Sequence, residues 1–265
     1  MKYKNSMLAV AKISFTDIMS YKMNIVSIIV SHMLNLFLNL FLWKVILEEN
    51  VNLKGYTIEN MFIYMSLAVV LNSFFNTPRR LAMNISHDIL DGTIVNKLLY
   101  PMDYYDYYWC YCIGRGTFFL FFVSVPLMLM SAILFCDFYM PSLFKVVFFI
   151  ISTILGYFIE TGMALIISGM LFWTEKASGI ISVASFLAFF FSGRLIPIDF
   201  FPNWLKNIAN VLPYKYAIYT PISVYLERIN PKNQIAMQIM WIVILVIIGR
   251  KLFKHAYSKV EVAGG

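Results

Sequence analysis

Charge is scarce in this sequence: only 13% of its 265 residues are charged, about half of the ~25% typical of a soluble domain. Hydrophobic residues make up 60%, and the mean hydropathy is +0.73. A soluble domain of this length needs a polar surface that this composition cannot supply. Soluble, disordered, collagen-like and coiled-coil proteins are therefore excluded. A protein that crosses the membrane several times remains.

The sequence also lacks the motifs of several chemistries. It has no glycine-rich loop ending in Gly-Lys-Ser or Gly-Lys-Thr, so we expect this chain to bind no cofactor and any ATP and magnesium to belong to a separate subunit. Its three cysteines and three histidines have neither disulfide nor metal-ligand spacing. No Ser-His-Asp arrangement and no basic tract with interleaved aromatics is present. We expect no catalytic residue, no metal and no nucleic-acid partner.

Six stretches of low charge have lengths near that needed to cross the bilayer, which is roughly 20 residues of helix. They do not alternate as the strands of a membrane barrel would. The sequence therefore predicts an all-α membrane protein with six transmembrane helices in one transmembrane domain, residues 1–265. The predicted spans are residues 23–43, 60–78, 116–136, 146–174, 177–193 and 233–249.

The charges between the spans predict the orientation. With the N-terminus inside, most Lys and Arg residues lie in the cytoplasm, including Arg79, and both termini are cytoplasmic. Residues 1–22 are too polar for a cleavable signal, and apolar residues fall on one side of residues 6–20. This pattern predicts an amphipathic helix along the inner membrane surface. The residues on its apolar side are Met7, Leu8, Ala11, Phe15, Ile18 and Met19.

The loop at residues 79–101, between spans two and three, is predicted to be a cytoplasmic helix followed by a turn. Leu81, Ala82, Ile85 and Ile89 repeat at helical spacing, and Gly92 is well placed to end the helix. An interfacial helix without a partner would show the same periodicity. The functional interpretation is a helix that docks a cytoplasmic subunit. Its candidate contact residues are Asn84, His87, Asp88, Asp91 and Gly92.

The loop at residues 194–232, between spans five and six, holds five of the nine prolines. Pro202 suits the first turn of an amphipathic helix that continues to Pro213. The aromatic stretch that follows is too short to span, and irregular backbone at membrane depth must be protected by protein or line a wet cavity. The loop is predicted to hold an interfacial helix and a re-entrant element, although a surface lid without a transport role is the alternative.

These two loops, in this order, resemble the permease subunits of type-2 ATP-binding-cassette exporters with six spans and a separate ATPase subunit. The segments that carry the resemblance cover residues 88–105, 172–180 and 189–226, and the likeness extends over essentially the whole chain. Arg194 departs from the pattern, because related chains usually carry a small or apolar residue there. The resemblance implies that the cytoplasmic loop couples to the ATPase, and that the segment after span five forms an outer gate. The gate residues it implies are Arg194, Pro197, Pro202 and Trp204.

The resemblance also implies the partners: two copies of a cytoplasmic ATPase subunit and a second permease, the same or homologous, in the lipids of a bacterial plasma membrane. Small residues in span five suggest that the two permeases meet at a seam that includes spans one and five. Aromatic-rich spans with little charge favour an amphipathic or hydrophobic cargo. The small residues of span five are Ser178, Gly179, Ser182 and Ser185.

Few polar groups lie inside the predicted spans. Ser31, Asn35 and Asn39 form one stripe in span one, which serves either interhelical hydrogen bonds or a translocation path. Glu160 in span four costs at least ~2.5–3.5 kcal/mol at the bilayer centre, so it faces protein or water or is protonated. It has either a functional role or a buried structural hydrogen bond.

Two other functions compete with an ATP-driven permease. A secondary transporter or channel that works alone would favour several charges in the spans or inverted repeats, and the sequence shows no convincing repeat. A membrane-embedded lipid enzyme would expose a cluster of Asp, His or Arg at one face. The nearest cluster is His87, Asp88 and Asp91, which we assign to docking.

Overall fold

The computed structural model describes residues 2–20, 22–48, 54–134, 141–174 and 177–257, and this part of the chain is folded into helices joined by turns. The all-α membrane class is therefore confirmed. The α-helices are α1 (Lys2–Met19), α2 (Lys22–Glu48), α3 (Ile58–Phe74), α4 (Asn76–Leu90), α5 (Ile94–Leu98), α6 (Tyr104–Phe119), α7 (Val125–Leu134), α8 (Leu143–Met170), α9 (Ala177–Phe191), α10 (Asn203–Val211), α11 (Tyr219–Tyr225) and α12 (Pro231–Tyr257).

Five helical segments among the described residues are long and apolar enough to cross a membrane: Met23–Leu47, Ile58–Leu90, Tyr104–Ile133, Leu143–Trp173 and Pro231–Ala256. The predicted fifth span corresponds to a shorter apolar helix, Ser178–Phe191. Fifteen residues of α9 rise about 22 Å, which is less than the ~30 Å of hydrocarbon. The chain after α9 therefore leaves the helix before a full crossing is complete.

Spans two and three extend beyond their predicted ends. Only Phe75 separates α3 from α4, so residues 58–90 form one nearly continuous segment. The expected separate helix at 79–101 is wrong in this respect, because α4 begins at Asn76 and continues span two. Likewise α6 begins at Tyr104, twelve residues before the predicted span, and a π-helix at Leu120–Ser124 joins it to α7. We call the end of the bundle with α4, α5 and the start of α6 the α5 end.

Helix α8 lies at the centre of the packing, because it contacts α4, α11 and α12. Its glycines allow α12 to approach closely. A Cβ atom on Gly162 would lie 3.0 Å from Leu245, and one on Gly169 would lie 2.6 Å from Leu252. Glu160 lies on the same helix, within the part that packs against its neighbours.

The N-terminal helix α1 packs along α6, so it does more than rest on a membrane surface. Ser14 and Ile18 are buried, and a Cβ atom on Gly114 of α6 would collide with the carbonyl oxygen of Ala11. Of the residues on the predicted apolar side, Ile18 packs inside the protein, whereas Leu8 and Met19 are exposed. Their contact with lipid stays a prediction.

The loop after α9 folds into the predicted amphipathic and short elements. Helix α10 lies at the surface, and all seven residues of α11 are buried. Helix α11 contacts α8 and α3, which supply the protein cover that a short buried helix requires. We call this end of the bundle the α10 end.

Candidate functional site

A buried ion pair lies inside the helix bundle. Glu160 of α8 is 5% exposed, and its Oε1 atom lies 3.3 Å from Nη2 of Arg79, which donates to it. Arg79 was expected at the start of the cytoplasmic loop, and the structure places it in a helix that continues span two. It occupies the first turn of α4, eleven residues before that helix ends, where α4 packs on α8. The pair avoids an unpartnered carboxylate in the interior of the bundle, which would be strongly destabilising.

One amide side chain joins this ion pair to a second arginine. The Oδ1 atom of Asn72 accepts a hydrogen bond from Nη1 of Arg79 and another, 2.6 Å long, from Nη1 of Arg194. The Asn72 carbonyl also accepts from Arg79 at 3.1 Å. The guanidinium of Arg194 lies 4.5 Å from the centre of the Phe189 ring. Two guanidinium groups thus meet at one neutral oxygen, close to one carboxylate.

Two cavities lie on either side of Arg194 and Phe189. The first, of about 100 Å³, we call the Glu160 cavity, because its wall includes Glu160, Arg79 and Arg194 together with apolar side chains of α8 and α9. The second, of about 120 Å³, lies between α2, α3 and the end of α9, and we call it the Asn39 cavity. Its polar lining residues are Asn35, Asn39, Asn72 and Arg194.

The structure brings together three of the four residues predicted to line a translocation path. Asn35 and Asn39 line one cavity and Glu160 the other, and Arg194 borders both. Ser31 lines neither cavity. It is exposed, and its hydroxyl donates to the Ser27 carbonyl at 2.8 Å. We call the connected set the polar seam. Its members are Asn35, Asn39, Asn72, Arg79, Glu160 and Arg194.

Sequence reasoning missed Asn72 and Arg79 as members of the seam. Asn72 is an amide within the apolar run of span two, well inside its ends, which is a signal that could have been followed. Arg79 was missed because its charge was used to end span two. A charge marks a span boundary only where no opposite charge on another helix compensates for it, and here Glu160 does.

The α10 end is held by a carboxylate that the sequence did not single out. Asp199 Oδ2 accepts hydrogen bonds from the phenols of Tyr56 at 2.8 Å and Tyr219 at 3.0 Å. Lys206 and Arg228 lie 3.4 and 3.7 Å from the carboxylate. Burial, with the charge of Asp199, raises the pKa of the Tyr56 phenol, so that this phenol remains a proton donor. We call these five residues the Asp199 cluster.

The predicted gate residues do not form one group. Pro197 is buried before a 3-10 turn at Ile198–Phe200, and Pro202 immediately precedes α10. Trp204 lies on α10 with 65% of its surface exposed. Arg194 points into the polar seam and away from the other three. The gating role of these residues stays a prediction.

The candidate ATPase contacts at the end of α4 include exposed residues and one residue that is bonded inside the protein. His87, Asp91 and Gly92 are exposed, and Gly92 has φ +69° directly after the C-cap residue, as predicted for a helix-ending glycine. Asp88 instead is engaged internally. Its carboxylate lies 2.5 Å from Nζ of Lys97 and accepts a hydrogen bond from the Tyr108 phenol.

Asn84, the fifth candidate, is exposed, and its amide donates to the Tyr111 hydroxyl at 3.4 Å. The apolar side of α4 is confirmed, since Leu81 and Ile85 have no exposed surface. Within the described ranges, no three or more His, Cys, Asp or Glu side chains are placed to hold a metal ion.

Comparison with known proteins adds the family. The family described as ABC-2 family transporter protein matches residues 33–264, which is most of the chain and includes the whole polar seam and both loops. No curated protein and no solved structure matches the chain. A bundle of apolar helices with a charged seam fits a transport subunit whose ATP-binding partner is a separate protein. The chain belongs to the ABC-2 transporter family, as the membrane permease subunit of an ABC transporter.

Proposed function

We propose that this permease moves an amphipathic or hydrophobic cargo outward across a bacterial plasma membrane, driven by ATP hydrolysis in its partner subunit. The observation that carries the proposal is the polar seam within the apolar bundle. Ionisable residues inside a membrane protein commonly mark a substrate pathway when they border a cavity. The rest of the Glu160 cavity is lined mainly by apolar side chains, with Ser185 and Tyr214 as further polar residues, and this supports a cargo with an apolar part.

The working unit in this proposal contains two permeases and two ATPase subunits. Helices α2 and α9 carry many exposed apolar side chains, among them Phe41 at 70% and Phe186 at 63% exposure. The small residues Ser178, Gly179 and Ser182 of α9 are also exposed, and a Cβ atom on Gly179 would meet nothing within 4 Å. A second permease packed against these helices would close the Asn39 cavity.

The α5 end docks the ATPase in this proposal, with both chain termini on the same cytoplasmic side. His87, Asp91 and Gly92 are accessible for contact, whereas Asp88 orders the turn that presents them. Asp88 is therefore proposed as a positioning residue, which changes the role that the sequence suggested. Asn84 lies one turn before His87 on the same helix and is kept as a contact at the rim.

Charge reversal separates docking from folding. We expect Asp91→Lys to weaken assembly with the ATPase by about tenfold or more, because a like-charge contact in an interface costs several kcal/mol. Glu59→Lys is the matched control, since Glu59 is equally exposed but lies at the α10 end. Affinity is measured by titrating the purified permease with the ATPase subunit. Equal affinity of both variants would contradict the docking assignment.

The direction of transport is tested with reconstituted vesicles that contain the permease and its ATPase. External ATP energises only the complexes whose ATPase faces outward. Export then moves a fluorescent single-chain lipid into the vesicle lumen, where an external quencher cannot reach it. We expect accumulation that requires ATP and disappears with a catalytically inactive ATPase subunit. Loss of the probe from preloaded vesicles would show import, and no movement would contradict the proposal.

A further inference from the structure

The charges around the Glu160 cavity do not balance. Arg79 is paired with Glu160 at 3.3 Å, but the partners that the structure gives to Arg194 are neutral: the Asn72 amide oxygen at 2.6 Å and the Phe189 ring at 4.5 Å. Among the described residues, no carboxylate lies within 4.0 Å of Arg194. Two positive charges and one negative charge therefore line the cavity, which leaves one positive charge in excess. A partly buried cation in this setting attracts an anion.

The geometry of the group suits an anion with several oxygen atoms. A guanidinium presents planar N–H donors that bind carboxylate or phosphate oxygens in pairs. Arg194 uses Nη1 for Asn72, so donors on its other nitrogen atoms remain for a ligand. The cavity volume of about 100 Å³ corresponds to about three water molecules, which is room for a small anionic group.

The rest of the cavity wall favours the headgroup of a larger molecule over a free ion. Apart from the three charged residues, the lining is mainly apolar or small, and α9 contributes short side chains. An alkyl chain attached to the anion would find apolar neighbours here, whereas a hydrated inorganic ion would not. The apolar and small lining residues include Ala82, Met163, Ile167, Ile181, Ala184 and Ala188.

We propose that the Glu160 cavity binds the anionic headgroup, phosphate or carboxylate, of an amphipathic cargo, and that Arg194 contacts this group. The Arg79–Glu160 pair positions the site and limits its charge. The inference deepens the proposed function, because it names the class of cargo, and its cargo role rests on that function. Glu160 competes with the ligand for the nearby arginines, and this competition allows the anion to be released.

Binding to the purified permease without its ATPase tests this site independently of transport. The probes are lysophosphatidic acid, monooleoylglycerol with the same acyl chain, and inorganic phosphate. We expect lysophosphatidic acid to bind at least about tenfold more tightly than monooleoylglycerol. Inorganic phosphate alone should not compete at equal concentration. Equal binding of the two amphiphiles would overturn the anion site, and competition by phosphate alone would overturn the amphiphile assignment.

Three variants test whether the preference for lysophosphatidic acid over monooleoylglycerol arises in the Glu160 cavity. Arg194→Gln keeps a donor for Asn72 but should lose the preference for lysophosphatidic acid, whereas Arg194→Lys should keep most of it. Arg80→Gln is the matched control, because Arg80 is exposed and does not line the cavity. An equal loss in Arg80→Gln and Arg194→Gln would assign the preference to surface charge and overturn the proposal.

Glu160→Gln provides a test that a folding defect cannot imitate. The neutral amide competes with the ligand for Arg79 and Arg194 more weakly than the carboxylate does, so lysophosphatidic acid should bind several-fold more tightly than to the wild type. Unchanged or weaker binding would contradict the proposal. If binding behaves as expected and the ATP-driven vesicle assay shows no movement, the site stands and the export function falls.

Discussion

Asp199 and Glu160 are both acidic residues that meet arginine, yet their surroundings differ. Asp199 receives two phenol hydrogen bonds and lies near Lys206 and Arg228, so its charge is satisfied several times over. Glu160 has one arginine at 3.3 Å and borders a cavity in which a second arginine lacks a counter-charge. The first arrangement fixes one structure, whereas the second leaves a partner to be supplied. These surroundings give Asp199 a structural role, and they are the reason for the transport role that we propose for Glu160.

Replacing Asp199 should have the largest effect on folding. Asp199→Ala leaves Tyr56, Tyr219, Lys206 and Arg228 without their shared acceptor, and we expect a loss of about 3 kcal/mol in the free energy of unfolding. The measurement is thermal unfolding of the purified permease, followed by tryptophan fluorescence. Glu59→Ala is the control, because Glu59 lies exposed at the same end. An unchanged Tm would show that the Asp199 cluster does not hold the α10 end.

Replacing Asp88 should reduce stability by less than replacing Asp199 and by more than replacing Glu160. Asp88→Ala removes the acceptor for Lys97 and Tyr108 at the α5 end, where the groups are only partly buried, so we expect a loss of about 1–2 kcal/mol. The local consequence should be faster hydrogen exchange of amides in residues 88–98 than in α8. Asp91→Ala, next to the same turn, should leave both quantities unchanged. Equal exchange in the two variants would remove Asp88 from its positioning role.

Glu160 should show the smallest effect on stability and a large effect on transport. Glu160→Gln keeps an acceptor for Arg79, so we expect the free energy of unfolding to change by no more than about 1 kcal/mol. ATP-driven transport should fall at least about tenfold, because tighter binding slows release of an anionic cargo. Both quantities are measured on one preparation. A loss of stability equal to that of Asp199→Ala, with normal transport per folded molecule, would erase the difference between the two regions.

The sequence predicts the helices better than their ends. Low-charge runs located the spans and Gly92 located the end of α4, because hydropathy and backbone conformation are local properties. The continuation of α3 into α4 was missed, because Arg79 was taken as the end of a span, whereas its charge is paired with a glutamate 81 residues away.

The residues of the candidate site were likewise predicted where local sequence is sufficient and missed where distant segments contribute. Glu160, Asn35 and Asn39 were selected as polar residues in apolar helices, and they do line cavities. Asp199 and the position of Arg194 were not predictable, since their partners come from distant segments. Asp88 was assigned to an exposed face by periodicity, but Lys97 and Tyr108 fold back onto it. Helical periodicity gives the side of a helix and not what covers it.

The central claim is that the Glu160 cavity takes part in the transport cycle, and its accessibility tests this most directly. Ala184 lines the cavity, and its neighbour Val183 is 62% exposed and does not line it. Each is replaced by cysteine in a cysteine-free background, and the permease–ATPase complex is labelled with a charged methanethiosulfonate reagent with and without ATP. We predict that ATP changes the labelling rate of Ala184→Cys several-fold and leaves that of Val183→Cys unchanged. An ATP-independent rate at both positions would contradict the account.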